Sequence, residues 1–322
     1  MSIPTHIPLP GEPTPAALAN PVLRYVMATR PAFLSVTAVG VLIGFASAHA
    51  DGAPFSAAAA ALTLLFALVA HAGANVINDY YDDVSGCDAA NRERLFPFTG
   101  GSRFIQNGVL TPQEVKRFGY ALILAVIPPG FWLAAHSAPG LLAIGAAGLG
   151  AAWAYSAPPF KLQARGLGEF GIVAAWTLVV VGADFVERGH FAFLPVAAGL
   201  GFALLVANVL YINQFPDLRA DAQCGKRTLV VRLGAAKARW GYAAIGTLAY
   251  VWPLAMILAG RLPAATLVSL LAAPATLKAT RVLWGSADQP RALAPALAMT
   301  IVAANLHGVL MAAALAIFGT MR

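Results

Sequence analysis

Two stretches of this chain carry acidic and amide side chains in the same order. Asn75-Val-Ile-Asn78-Asp79-Tyr-Tyr-Asp82-Asp83 ends one apolar run, and Asn213-Gln-Phe-Pro-Asp217-Leu-Arg-Ala-Asp221 ends another about 140 residues later. On a helix, Asn75, Asp79 and Asp82 or Asp83 fall at steps of three or four, and Asn213, Asp217 and Asp221 at two steps of four, so each set lines one face. Two carboxylate faces that confront each other repel and are costly to desolvate unless cations bridge them to an anionic ligand. Mg²⁺ suits such a site because it typically takes one or two carboxylates plus phosphate oxygens. The implied ligand is a phosphate or diphosphate. Helix capping is the plain alternative for one such cluster; two clusters, each led by Asn and followed by basic residues, favour function.

The elements that position these residues are set by composition. Hydrophobic residues make up 59% and charged residues 11% of the 322 residues, and mean hydropathy is +0.71, more than a soluble core of this length can hide. The chain reads as an integral membrane protein, all-α, a polytopic bundle of about nine helices at 31–49, 55–78, 118–136, 138–157, 168–186, 191–214, 241–259, 263–280 and 292–318. Each stretch is long enough to approach or cross a hydrocarbon core of roughly 30 Å. With the N-terminus in the cytoplasm, 18 of the 21 Lys and Arg fall on that side, and only Arg188, Arg261 and Arg322 lie outside. That bias predicts a multi-pass protein of the cell's inner (plasma) membrane with both acidic clusters facing the cytoplasm. The net charge of +7 then reflects topology, and no nucleic-acid partner is needed. No obligate protein partner is evident either; the surroundings are membrane lipid.

Residues 1–20, rich in Pro and without an apolar core, read as a loose cytoplasmic tail, and 21–322 as one transmembrane domain with an internal pseudo-repeat whose halves meet at the site. Cys87 and Cys224 both fall in cytoplasmic loops, where thiols stay reduced, so no structural disulfide is expected. Each follows an acidic cluster, which also allows a metal-thiolate reading, although the surrounding hard Asp oxygens favour Mg²⁺ over zinc.

Several further segments carry a family likeness. Asn78-Asp79-Tyr-Tyr-Asp82 with Asp88, Pro97-Phe-Thr-Gly100-Gly101-Ser102-Arg103, Tyr155-Ser-Ala-Pro-Pro-Phe-Lys161 through Arg165-Gly-Leu-Gly168-Glu169, and Asn213-x-x-x-Asp217-x-x-x-Asp221-x-x-x-Gly225-Lys226-Arg227-Thr228-Leu229 together resemble the UbiA superfamily of intramembrane prenyltransferases. The likeness spans roughly residues 20–320 and is greatest to the 1,4-dihydroxy-2-naphthoate polyprenyltransferases. It implies a nine-helix fold, Mg²⁺-dependent capture of an isoprenyl diphosphate, and alkylation of an aromatic acceptor in menaquinone synthesis. In the 4-hydroxybenzoate branch a third Asp follows the first by seven residues. Here position 86 is Gly and Asp88 takes a later place, which favours the naphthoate branch while leaving 4-hydroxybenzoate or another acceptor open.

Ionisation of an allylic diphosphate builds charge on the departing oxygens, so groups that bind the product anion more tightly lower the barrier. Asp79, Asp82, Asp217 and Asp221 are the expected metal-holding and catalytic residues, with Asp83 and Asp88 as additional ligands. Lys161, Arg165, Lys226 and Arg227 are expected at the diphosphate, and Asn75, Asn78 and Asn213 at substrate. Tyr155 and Tyr211 could offer ring faces to an allylic cation or serve as interfacial belt residues. His71, on the face of Asn75 and Asp79, could hydrogen-bond the acceptor or accept a proton, or be a satisfied core histidine. Two other membrane functions stay open on the acidic motifs. A cation exchanger would place its carboxylates nearer the midplane, and a CDP-alcohol phosphotransferase would carry an Asp-Gly-x-x-Ala-Arg pattern absent here.

Overall fold

A computed structural model describes residues 8–319; residues 1–7 of the expected tail and Arg322 lie outside the described residues. The regular structure of the described residues is helical, with no strand. The helices are α1 (Pro21–Ala28), α2 (Ser35–Ala50), α3 (Ala57–Val84), α4 (Cys87–Ala90), α5 (Pro112–Ala125), α6 (Ile127–His136), α7 (Gly140–Ser156), α8 (Gly168–Arg188), α9 (Leu194–Gln223), α10 (Leu229–Leu233), α11 (Ala235–Leu258), α12 (Ala273–Ser286) and α13 (Ala294–Phe318).

Eight helical segments of the described residues are long and apolar enough to cross a membrane, and Gly140–Ser156 is a shorter apolar helix. All nine apolar stretches of the sequence are therefore helical, and the chain is a multi-pass membrane protein. Local chemistry sets several boundaries. Asn20 accepts from the Val22 and Leu23 amides at the start of α1, and Ser56 caps α3 through the Ala59 amide. Thr111 and Glu114 form a reciprocal capping box on α5, which satisfies two otherwise orphaned groups. The span Pro112–His136 is divided into α5 and α6 just before Pro128 and Pro129, where missing N–H groups and ring clashes oppose a continuous helix.

The central element is α9. The most apolar window of its span is 78% buried, against 17% for Pro112–His136, so α9 forms the axis and α5–α6 lie at the periphery. It packs against α2, α8, α11 and α13. Small residues permit this closeness, since lipid supplies no hydrophobic drive and helices associate by direct packing. A Cβ on Gly44 would lie 2.4 Å from the Val180 carbonyl where α2 meets α8. Gly44→Val is accordingly expected to cost about 1–3 kcal/mol by overpacking, read as a lower midpoint of thermal inactivation than Gly285→Val in α12, where an added Cβ meets open space.

At the end of the bundle opposite the acidic motifs, Arg188 donates to Asp184 and Asp51 at 2.8 Å each. The described part of the expected tail is docked rather than loose. Glu12 is buried, bonds Arg94 at 2.5 Å and accepts from Asn107, while the Leu18 carbonyl accepts from Arg24. The stretch is held by the buried Glu12–Arg94 ion pair to a distant loop and by Leu18, which packs in a buried apolar cluster with Ala28, Val76 and Phe104.

Candidate active site

Helix length places the acidic motifs at one rim of the bundle. The 28 residues of α3 and 30 of α9 extend about 42 and 45 Å at 1.5 Å per residue. Both exceed a hydrocarbon thickness of roughly 30 Å, so the last turns, which carry Asp79, Asp82, Asp217 and Asp221, project toward the interface. Pro216 sits inside α9 between Asn213 and Asp217, where its missing N–H leaves a helical carbonyl without its usual donor.

A cavity of about 850 Å³ runs between α3, α7, α8 and α9. Its polar end is lined by Asn78, Asp82, Asp88, Asn91, Gln163, Asn213, Asp217, Asp221 and Lys226, and its remainder by apolar residues such as Phe66, Leu141, Trp176 and Val179. Along α3 the lining runs from Thr63 to Asp82, about 28 Å at the helical rise. The cavity thus reaches across most of a bilayer. Phe131 of α6 and Leu142 of α7 both line it and are exposed on the outside of the bundle, so this wall communicates with lipid.

The polar end concentrates negative charge around one ammonium group. Lys226 Nζ lies 2.8 Å from Asp82 Oδ1 and 3.8 Å from Asp221 Oδ1. Burial alone would lower the Lys226 pKa, but the Asp82 and Asp221 carboxylates outweigh it and raise it. Asp82 also accepts from Gln163 at 2.9 Å and Asn78 at 3.1 Å. Asn91 donates to Asp217 at 2.5 Å. Asp88 is buried and its Oδ2 has no partner, as is true of Asn91 Oδ1; burial, then Asp82 and Asp79, push the Asp88 carboxyl well above its ordinary range. Gly101, at φ +74°, lets the loop close onto that carboxylate, since a Cβ there would stand 2.4 Å from Asp88 Oδ2. Buried carboxylates short of donors are the donor set that a hard divalent cation completes.

The expected site residues separate into two groups. The cavity is lined by Asn75, Asn78, Asp82, Asp88, Tyr155, Asn213, Asp217, Asp221, Lys226 and His71. His71 Nδ1 lies 2.8 Å from Thr37 Oγ1, and its ring meets Trp176 edge-on at 5.0 Å. Asp79 is instead engaged by Arg30 and by the Ser102 amide. Asp83 accepts from Gln106 at 3.1 Å outside the cavity. Adjacent positions on a helix point about 100° apart, and Asp82 rather than Asp83 shares the inward face. Lys161, Arg165 and Arg227 are exposed and do not line the cavity; Arg165 donates to the Pro159 carbonyl. Tyr211 is buried on another face of α9, its hydroxyl donating to the Ala238 carbonyl at 2.9 Å.

Sequence reasoning missed Arg30, Gln163 and Asn91. Arg30 lies just ahead of the first span and reads as an ordinary positive-inside residue, yet it lines the cavity. Gln163 falls inside the Tyr155–Glu169 motif, where its neighbours Lys161 and Arg165 drew attention by charge. Glu169 of that motif is held by Gln214, which also accepts from the Val230 amide, tying α8 to α9 and α10.

The expectation of two free thiols is also corrected. Cys87 and Cys224 form a disulfide with their Cα atoms 5.3 Å apart. A separation of 137 residues hid the encounter; the compartment argument concerned redox chemistry and did not address proximity.

Comparison with known proteins gives the same picture. Residues 37–306 match the UbiA prenyltransferase family. The chain is 30% identical to a 1,4-dihydroxy-2-naphthoate octaprenyltransferase of Mycobacterium tuberculosis, over 92% of this chain and 98% of that protein. It is also 30% identical to the Escherichia coli enzyme of that name, over 87% and 91% of the two chains. A UbiA homolog from Archaeoglobus fulgidus, solved bound to DMAPP and Mg²⁺, superposes with a TM-score of 0.67 at 17% identity, covering 91% of this chain and 99% of that one. With a helical membrane bundle, paired Asp motifs around one cavity and a family match over most of its length, the chain belongs to the UbiA prenyltransferase family and is a membrane-embedded transferase.

Proposed function

We propose that this protein transfers an isoprenyl chain from an allylic diphosphate to 1,4-dihydroxy-2-naphthoate, in the menaquinone branch of quinone synthesis, with Mg²⁺ as its metal. The observation that carries the reading is the two-part cavity, with carboxylates and Lys226 at one end and an apolar channel of bilayer length behind them. The relatives named for the naphthoate reaction, similar over most of the chain, support the acceptor. Under the positive-inside orientation the polar end faces the cytoplasm, in the inner membrane.

Asp82, Asp217 and Asp221, with Asp88, are the residues that would hold the metal. Mg²⁺ bound there would neutralise the diphosphate and stabilise it as a leaving group. Lys226 contributes a positive charge at the same oxygens, and its bond to Asp82 presets its position. Asp79 holds Arg30 at the cavity wall, and Asn75 is fixed by its bond to the Thr29 carbonyl. Breaking the donor's C–O bond sends the electron pair to the diphosphate and leaves an allylic cation. The Tyr155 ring lines the cavity near this end, where an aromatic face attracts positive charge. The apolar channel keeps water from competing with the ring carbon of the acceptor, and His71 and Thr37 offer hydrogen bonds to its oxygens.

The test is an assay of membranes enriched in the protein, supplied with an isoprenyl diphosphate and either 1,4-dihydroxy-2-naphthoate or 4-hydroxybenzoate, with products identified by mass. Mg²⁺-dependent product in which the prenyl chain has replaced the naphthoate carboxyl, with loss of CO₂, is expected. A prenylated hydroxybenzoate that keeps its carboxyl would move the enzyme to the other branch.

The channel makes a separate prediction. Gly148 lines it, and a Cβ there meets open space. It lies seven residues before Tyr155, about 10 Å along α7. Gly148→Phe should fill the channel beyond the first few isoprene units, lowering turnover of long-chain donors at least tenfold while leaving a five- or ten-carbon donor within about threefold, since an added ring in an occupied apolar site costs about 1–3 kcal/mol. Equal loss with both donors would show that the chain does not pass this position.

A further inference from the structure

The two acidic motifs are joined covalently as well as by folding. Cys87 opens α4, immediately before Asp88, and Cys224 caps the end of α9, three residues after Asp221. Both sulfurs and a carboxylate oxygen of Asp221 lie within 4.8 Å of one another, and Cys87 lines the cavity. The disulfide therefore ties the two carboxylate walls of the site directly to each other. Those walls carry Asp82, Asp88, Asp217 and Asp221, whose mutual repulsion Lys226 only partly offsets. Asp88 keeps an unpartnered buried oxygen. A cross-link here opposes separation of the walls and keeps their oxygens convergent, which lowers the cost of assembling them around a cation.

The bond is placed for exchange. Cys87 is 3% exposed, whereas Cys224 is half-buried between exposed Gln223 and Gly225, so an attacking thiolate reaches Cys224 first. On the cytoplasmic side, where the proposed orientation puts this pair, mesophilic disulfides are usually transient and redox-sensing rather than permanent.

We propose that Cys87 and Cys224 are a thiol–disulfide exchange site whose partner is a low-molecular-weight thiol of the glutathione class, and whose oxidised state raises the affinity of the carboxylate pocket for the metal–diphosphate donor. The inference rests on the donor reading given above. The chemistry balances without any further reactant. A small thiolate attacks Cys224 Sγ, the sulfur–sulfur bond breaks, and Cys87 leaves as thiolate and takes up a proton. A second small thiolate attacks the mixed disulfide, releasing the Cys224 thiol and the small disulfide. Two electrons enter the protein and two protons end on its sulfurs; oxidation runs the same steps in reverse.

Coupling between the exchange site and the pocket is reciprocal. If the oxidised form binds Mg²⁺ and diphosphate about tenfold more tightly, within the usual span of such couplings, then Mg²⁺ and diphosphate must make the disulfide about tenfold harder to reduce, a shift of about 30 mV for two electrons. The experiment equilibrates the full-length protein in lipid nanodiscs across a series of glutathione redox buffers. It counts thiols by mass after maleimide labelling, with and without Mg²⁺ plus inorganic diphosphate. The expected result is a midpoint displaced about tenfold toward resistance to reduction when both are present. A midpoint that does not move, or two thiols that stay free at every ratio, overturns the proposal.

Transfer assays separate this failure from failure of the donor reading. The oxidised protein should reach half-maximal rate at about one tenth of the Mg²⁺ needed by the reduced protein or by Cys224→Ser, with maximal rates within about twofold, as an effect on site assembly alone requires. Mg²⁺-dependent transfer with the same Mg²⁺ requirement in all three would overturn the exchange proposal and leave the donor reading intact. No transfer in any redox state would overturn the donor reading and the proposal together.

Discussion

Asp82→Asn is expected to lower isoprenyl transfer by about 10²–10³-fold, the scale on which removal of one group stabilising transition-state charge is felt, while the protein remains inserted in the membrane. Asp82 accepts from Lys226, Gln163 and Asn78, so it both faces the ligand space and orders the groups around it. An amide of the same shape keeps the volume but removes the charge that a cation needs and sets a donor against the Lys226 ammonium. The adjoining position supplies the control. Asp83 bonds Gln106 and does not line the cavity, so Asp83→Asn should keep transfer within about twofold, as for a substitution away from the site. Initial rates at saturating donor, normalised to inserted protein and repeated over a range of Mg²⁺, make the comparison. Equal losses at the two positions would mean that the inward face of α3 has been misidentified, and an unimpaired Asp82→Asn would remove the metal-holding role altogether.

Replacing Lys226 by Met should have the next largest effect. Lys226 is the ammonium set between Asp82 and Asp221, and its side chain is only 11% exposed. Truncating one member of a buried charge cluster typically costs 2–5 kcal/mol, much of it from the partner left unpaired. We therefore expect kcat/KM for the diphosphate donor to fall at least about 30-fold, with a rise in KM as well as a fall in kcat, because the ammonium attracts the diphosphate in both ground and transition states. Lys226→Arg should recover only part of this, since a planar fork does not reproduce a point charge seated between two carboxylates. Arg227→Met is the matched comparison. Its side chain is exposed and outside the cavity, and its loss should leave kcat/KM within about twofold. If Arg227→Met proved the more damaging change, the cation at the donor diphosphate would be Arg227 and the loop after α9 would have to turn over during binding.

These two pairs show where linear reading succeeds and where it stops. Membrane residence, helical class and the position of the spans were legible because the bilayer demands long apolar helices with internally satisfied backbone. The paired Asp motifs were legible because steps of three and four put side chains on one face whatever the tertiary context. From those alone the chemistry of a cation-bridged anion at two helix ends could be argued, and the family likeness added the prenyl donor. Which charges turn inward was decided only by the packed bundle. Lys226 and Arg227 are adjacent and both basic, yet one is enclosed between carboxylates and the other is exposed. Arg30 and Asn91 entered the site because the segment before α2 and the loop after α4 fold over its rim. Asp79 met Arg30, Glu12 met Arg94 and Cys87 met Cys224 for the same reason. Helix periodicity specifies the direction of a side chain relative to its own axis; the rotation of each helix about that axis, and the loops that close over the ends, are set by contacts between residues distant in the chain.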